Sequence, residues 1–380
     1  MRFKGVVCFS AIDWNFLKQR VHYITGELAE KGLKVLFIEN TGVRSPGLKD
    51  LRRILTRLGN ARDNSTDKNI PGNIELFSPL AVPFPYNHPA VIYNVRYCKR
   101  RINAFLKAHS LKPPEVLFFT YLATPVVLNL AELYPWGGLV YDLVSDPKLV
   151  EARIEKYEKR LLLKADTVLF ASHTLYQQYR DYTKNPVVFE DGFNTELLKA
   201  ELKPCPVDSL PRPRFLYIGG INRKIWPEMI GELAREYPGG SVVLVGPRDD
   251  DVKIPDLSNI HILPGLTNYS DLASYLDKAD AGIIPYYNDR YSGVMHPAKL
   301  NEYLIFGLPV VATTTPELEA LDAKWGRGFL SLGKDPGEFA GAAGRALKCN
   351  SDQTMKARMV FTQQNTWSDR LEELFNILKV

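Results

Sequence analysis

The chain has 380 residues, 45% hydrophobic and 24% charged, with a formal net charge of +5. That length exceeds one ordinary core and suits two domains, and the composition excludes a disordered chain. The longest apolar runs, such as residues 35–38 and 116–119, are strand-length and far short of the roughly 20 residues a membrane span needs.

The N-terminus has no small-residue cleavage site and reads as a first strand. Cys8, Cys98, Cys205 and Cys349 are scattered without metal-ligand spacing, so they are expected to be reduced thiols in a cytoplasmic protein.

Taken in order, residues 4–9 read as a buried strand. Residues 17–31 read as a helix carrying Val21, Ile24 and Leu28 at helical spacing, with Gly32 as its stop. Residues 33–39 are the next strand. Between 47 and 62, Leu48, Leu51, Leu55 and Leu58 form one helical stripe flanked by Lys49, Arg52, Arg53 and Arg57. Such a helix either lies on an anionic membrane, on the inner face of the cytoplasmic membrane, or docks on its own domain with a solvated face. A second basic group, Arg96, Lys99, Arg100, Arg101 and Lys107, falls on another predicted helix. No nucleic-acid-binding motif accompanies either, so no nucleic-acid partner is expected. Strands follow at 73–77, 116–120, 139–143, 167–171 and 186–189, with a helix at 148–164. Alternating strands and helices indicate parallel βαβ units and a doubly wound α/β sheet.

Residues 201–213 hold four prolines and no periodicity, the mark of a linker. The alternation then restarts, with strands at 215–218, 242–245, 260–263, 281–285 and 309–312 and helices at 227–236, 270–276 and 297–306. The expectation is two doubly wound Rossmann-like domains, 1–200 and 213–362, facing a cleft. Residues 367–380 form a terminal helix with Leu371, Leu374, Phe375 and Leu378 on one stripe.

The most informative segment is residues 292–313, SGVMHPAKLNEYLIFGLPVVAT. Pro297 suits the first turn of a helix, where its missing N–H costs nothing. Free N–H groups near residues 295–298 would attract phosphate. Lys299 can neutralise a diphosphate, and Glu302, three residues on, shares its face and can accept from ribose hydroxyls. An intrahelical Lys299–Glu302 ion pair is the structural alternative. Gly219 and Gly220 follow a strand and allow close phosphate approach, or make a plain tight turn.

The string PAKLNEYLIFGLPVVAT resembles the donor-site helix and strand of family 4-like GT-B glycosyltransferases. Residues 9–46 are similar to the N-terminal region of bacterial enzymes building exopolysaccharide and teichuronic-type polymers. The resemblance implies that Lys299 contacts the donor diphosphate and Glu302 the ribose. It also implies that Arg223 or Lys224 stands beside the glycine turn, and that backbone groups of Gly265 and Leu266 meet the nucleobase. Residues 363–380 are implied to pack back on the first domain. Tyr286, after a strand end, can stack on base or sugar, or is a half-buried aromatic. Many family members carry a second glutamate where this chain has Val294, so Ser292, His296 or a backbone amide is expected at the sugar. The departure leaves retaining and inverting mechanisms both open.

In the first domain, Asp146 and Asp142 lead Asp13 and His22 as candidate bases for an acceptor hydroxyl. Asp146, before Pro147, can instead cap a helix, and His22 can be a satisfied helix histidine. Arg20 is placed with Arg52, Arg53 and Arg57 as an acceptor or membrane contact. The resemblance implies no cofactor or metal, since GT-B enzymes generally stabilise the leaving diphosphate with basic side chains and helix dipoles. Asp249–251 read as a solvated turn. The reading is a transferase using a nucleotide sugar, UDP being the family's usual choice, and a saccharide or lipid-linked saccharide acceptor. A GT-B epimerase and a degenerate assembly partner are the alternatives.

Overall fold

The structure, a computed structural model, describes residues 2–15, 18–39, 70–149, 151–266, 268–326 and 328–379. The chain divides into two compact units: Met1–Ala171, Leu175–Phe189 and Leu371–Val380, and Ser172–Thr174 with Glu190–Arg370. The basic segment 47–62, with Arg52, Arg53 and Arg57, lies outside the described residues.

In the first unit, β1 (Gly5–Phe9), β2 (Lys34–Ile38), β3 (Ile74–Phe77), β4 (Val116–Thr120), β5 (Gly138–Leu143), β6 (Thr167–Phe170) and β7 (Pro186–Val188) form one sheet. Their order is β3-β2-β1-β4-β5-β6-β7, and every pairing is parallel. Both faces of such a sheet are covered, so β1 and β4 are buried at every position. The connections include α1 (Arg20–Glu30), α2 (His88–Ala108), α3 (Pro125–Leu133), α4 (Glu155–Lys164) and α5 (His173–Tyr179).

The predicted helix 148–164 begins only at Glu155. Before it, Pro147–Leu149 and Ala152–Ile154 are single 3-10 turns. Asp146 Oδ1 accepts from the Lys148 N–H at 3.1 Å and Glu151 Oε1 from the Arg153 N–H at 3.2 Å. Such local bonds offer the backbone an alternative to the helix.

In the second unit, β8 (Arg214–Ile218), β9 (Ser241–Val245), β10 (Ile260–Leu263), β11 (Ala281–Ile284), β12 (Val310–Thr313) and β13 (Leu330–Gly333) are ordered β10-β9-β8-β11-β12-β13. All their pairings are parallel too. The helices are α6 (Pro227–Glu236), α7 (Tyr269–Asp277), α8 (Ala298–Ile305), α9 (Pro316–Trp325), α10 (Pro336–Lys348) and α11 (Asp352–Gln363). Phe193, Leu197 and Val207 belong to this unit's core, so the proline-rich 201–213 stretch lies within it.

The final helix, α12 (Trp367–Leu378), counts with the first unit from Leu371 onward. Leu371, Leu374, Phe375 and Leu378 are buried, and the Lys31 ammonium lies 4.9 Å from the Phe375 ring centre. No helix among the described residues is long and apolar enough to cross a membrane.

Candidate active site

Parallel strands put their carboxyl ends on one edge, and in the second unit the order reverses between β8 and β11. Ligands of open α/β sheets bind at such a switch point. There β8 leads into Gly219 and β9 into Gly246, whose φ angles of +135° and +154° are ones L side chains rarely adopt. The two turns touch: a Cβ on Gly246 would lie 2.0 Å from the Gly219 carbonyl oxygen. The Gly219 N–H donates to Val245 O at 2.9 Å, and the Tyr217 hydroxyl donates to Gly220 O at 2.8 Å. Gly265 is exposed and lies over Pro247, while Leu266 packs on the core.

Lys299, in the first turn of α8, points at this turn. A Cβ on Gly219 would meet its Cε at 3.3 Å. Its ammonium donates to the Tyr286 hydroxyl and lies 4.9 Å from the Tyr217 ring centre and 4.8 Å from that of Tyr286. The alternative pairing with Glu302 is not made, because the ammonium turns to Tyr286. Tyr286 is only 5% exposed, so it is more deeply buried than the half-buried aromatic the sequence allowed, and it is a neighbour of Lys299. The Lys224 ammonium and the Arg223 guanidinium lie 5.1 and 5.3 Å from the Tyr291 ring centre. Burial pulls Lys224 below the ordinary lysine range, Tyr286 opposing and Lys299 reinforcing.

Pro297 caps α8 rather than opening its first turn. The Met295 N–H, expected to be free for phosphate, donates to Ser292 O at 3.2 Å. Glu302 is half-buried, and desolvation raises its carboxyl to about 7 against the pull of Lys299. Ser292 is buried, with its N–H on Asp289 Oδ1 at 2.7 Å. His296 Nε2 meets Asn301 Oδ1 at 3.1 Å. The Ser292 hydroxyl and His296 Nδ1 are buried polar atoms without a partner among the described residues.

Residues 212–349 match the family Glycosyl transferases group 1. That stretch is similar to a group 1 glycosyltransferase domain, and the chain as a whole has a GT-B fold. It resembles sucrose-phosphate synthase of Thermosynechococcus elongatus, with a TM-score of 0.72 at 15% identity over 99% of this chain and 98% of that one. HepE of Anabaena, solved with UDP, gives 0.66 at 13% identity, covering 99% of each chain. Identities that low establish the fold alone. A Bacillus subtilis (strain 168) protein named as a teichuronic acid biosynthesis glycosyltransferase, TuaH, is 29% identical over 264 residues, 63% of this chain. The chain spans 65% of the length of that relative.

In the first unit of this GT-B chain, Asp142 lies within β5. Its carboxylate takes a fork from Arg20, Nε to Oδ2 at 2.8 Å and Nη2 to Oδ1 at 3.0 Å. The pair explains both residues without an acceptor. Asp146 is buried and caps the Lys148 N–H. His22 is buried between Trp14 and Phe37 and accepts the Gln19 N–H on Nδ1 at 3.0 Å. Burial holds its pKa below the ordinary value, opposed by nearby backbone groups, so the neutral ring carries its proton on Nε2. Asp13 is half-buried in the β1–α1 loop.

Three residues escaped the sequence reading. Tyr217 hides inside β8. Its signal was an aromatic two residues before a glycine pair. Glu158 is buried, and burial with Asp146 beside it raises its carboxyl to about 8. Glu190 accepts from Lys324 at 2.7 Å, His173 at 3.1 Å and Arg370 at 3.4 Å. Burial would raise its carboxyl, but those cations, Lys324 first, bring it below the ordinary range. Nothing local in the sequence marks either acid.

Proposed function

We propose that the protein is a glycosyltransferase that moves a hexosyl group from a UDP-sugar to a saccharide or lipid-linked saccharide in cell-envelope or exopolysaccharide synthesis. One observation carries the reading: Lys299 points at Gly219, Lys224 follows the Gly219–Gly220 turn in the chain and feels the Lys299 charge, and among the described residues neither has a carboxylate within salt-bridge reach. Unneutralised ammonium groups at a glycine turn attract a diphosphate and stabilise it as a leaving group, so this reading needs no bound metal. Glu302, one turn along the same helix, is in place to accept from ribose hydroxyls. HepE solved with UDP and the teichuronic acid name of the Bacillus relative support the UDP-sugar and the cell-envelope polymer.

For the acceptor proton we propose Asp146 or Asp13. Asp142 is committed to Arg20, and the proton on His22 Nε2 makes that atom a donor. Ser292 and His296, with unpartnered polar atoms, are proposed to face the donor sugar near Val294. We place the enzyme in the cytoplasm, peripheral to the inner face of the membrane through residues 47–62. On α2, Arg96, Lys99, Arg100 and Lys107 are exposed, adding cationic surface. Charge reversal of Arg52, Arg53 and Arg57 is expected to abolish binding to anionic liposomes, and unchanged binding overturns the membrane part.

The deciding test is thermal stability against UDP, GDP, dTDP and ADP, with Glu302→Ala as control. A nucleotide at about 100 times its Kd adds about 2.7 kcal/mol to the native state. A rise in Tm with UDP, reduced in the variant, is expected. No shift with any nucleotide would sink the donor site.

A further inference from the structure

The lysine at the glycine turn is half-buried and held without a carboxylate in contact. Ammonium groups drawn out of water are generally paired with carboxylates, yet Lys299 rests on two tyrosine rings and one phenol oxygen. A carboxylate in that place would cancel the charge and compete with an incoming anion. Aromatic faces and a neutral hydroxyl hold the ammonium by quadrupole and dipole, leaving its full charge for a ligand. Tyr217 is itself fixed, its hydroxyl spent on Gly220 O, so the cradle is tied to the turn it serves.

We infer that Tyr286, backed by Tyr217, is a positioning residue that presents the Lys299 ammonium to a diphosphate without neutralising it. This rests on the donor-site reading above. The phenol does so only while protonated: as phenolate it would become a counter-ion in direct contact with the ammonium, whereas Glu302 acts on Lys299 only from beyond salt-bridge reach. The groups facing it are Lys299 and Tyr303 on α8, Lys224 in the glycine-turn loop and Tyr217 on β8. Burial would raise the Tyr286 phenol, but Lys299 above all, then Tyr217 and Lys224, bring it below the ordinary tyrosine range. Affinity for diphosphates is therefore expected to fall at alkaline pH through the Tyr286–Lys299 pair.

The experiment is calorimetric titration with UDP and with inorganic pyrophosphate, from pH 7 to 10.5. Lys224→Arg serves as background, because arginine keeps its charge throughout and removes the other titrating ammonium. Adding Tyr286→Phe keeps the ring and removes the hydroxyl that orients Lys299. It is expected to weaken both ligands about tenfold at pH 7.5, the scale of one lost hydrogen bond to a charged group. It is also expected to move the alkaline loss of affinity upward by about one pH unit or more. Equal affinity, or weakening with an unmoved alkaline limb, overturns the inference and leaves only packing. If the parent binds pyrophosphate but no nucleotide, the transferase reading fails while the role of Tyr286 is still decided. If it binds neither ligand, both fall.

Discussion

Arg20 and Asp142, 122 residues apart, meet as a two-bond fork inside the first unit, with Arg20 6% exposed and Asp142 fully buried. The guanidinium also lies 4.6 Å from the Phe189 ring centre. The pair ties the start of α1 to the middle of the sheet.

Removing one member of a buried pair strands the other charge, at a cost of about 3–5 kcal/mol. Asp142→Asn is therefore expected to lower the urea midpoint by an amount of that order. Arg20→Met combined with Asp142→Leu is expected to recover much of it, since well-packed apolar substitutes are often neutral. An Asp142→Asn variant with wild-type stability and no turnover would make Asp142 the base after all.

Glu158 makes stability depend on pH in a direction opposite to most carboxylates. Burial, then Asp146 beside it, holds its carboxyl near 8, while Lys148, and after it Tyr141 hydrogen-bonded at 3.4 Å, pull the other way. Between its ordinary value of 4.5 and about 8 the folded state keeps a proton that the unfolded chain has released. Stability therefore falls as pH rises through that window, by about 3–5 kcal/mol for a shift of this size. Glu302, near 7, adds a slope of the same sign. Glu158→Gln is expected to match wild type at pH 5 and exceed it at pH 8.5 in denaturant midpoint. Parallel pH curves for the two proteins would rule this out.

Most strands were legible because parallel strands buried on both faces are continuous apolar runs, as Val35-Leu36-Phe37-Ile38 shows. The region between residue 313 and the terminal helix was not. In α10 the buried face is Phe339, Ala340, Ala342, Ala343 and Ala346, interleaved with glycines, so small residues blur the helical period. β13 is only four residues long and half-buried. At the site, the spacing of Pro297, Lys299 and Glu302 left a donor contact and an intrahelical ion pair both open, and it was the resemblance of the string around them that pointed to a donor helix. Tyr217 and Tyr286 could not be assigned that way. Their role is to surround a lysine far away in sequence, and only the crossing of β8, β11 and α8 brings the three together.

Gly246 is a lone glycine in the sequence and a required one in space. With φ at +154° and a Cβ that would overlap the Gly219 carbonyl oxygen, an alanine forces both turns apart. Backbone strain of this kind costs about 1–3 kcal/mol. Gly246→Ala is expected to lower Tm modestly and weaken UDP by more than its stability loss explains, because the displaced turn lines the site. Unchanged UDP affinity in a destabilised variant would show that the turn is structural only.

Lys299 and Glu302 can be separated by which part of a nucleotide each serves. Lys299→Met removes the charge and keeps most of the stem, so UDP is expected to weaken about a hundredfold, the upper part of the range for a charge-assisted bond. Uridine, lacking phosphate, is expected to change by less than about threefold. Glu302→Gln is expected to weaken both alike, since both carry the ribose. The carboxylate form accepts from hydroxyls, and burial holds it near 7, so wild-type uridine affinity is expected to rise as pH climbs from 6 to 8. In the glutamine variant that rise disappears. Competition binding with UDP and uridine at those pH values reads all four outcomes. A Lys299→Met variant that loses uridine as heavily as UDP would mean a collapsed site rather than a missing phosphate contact.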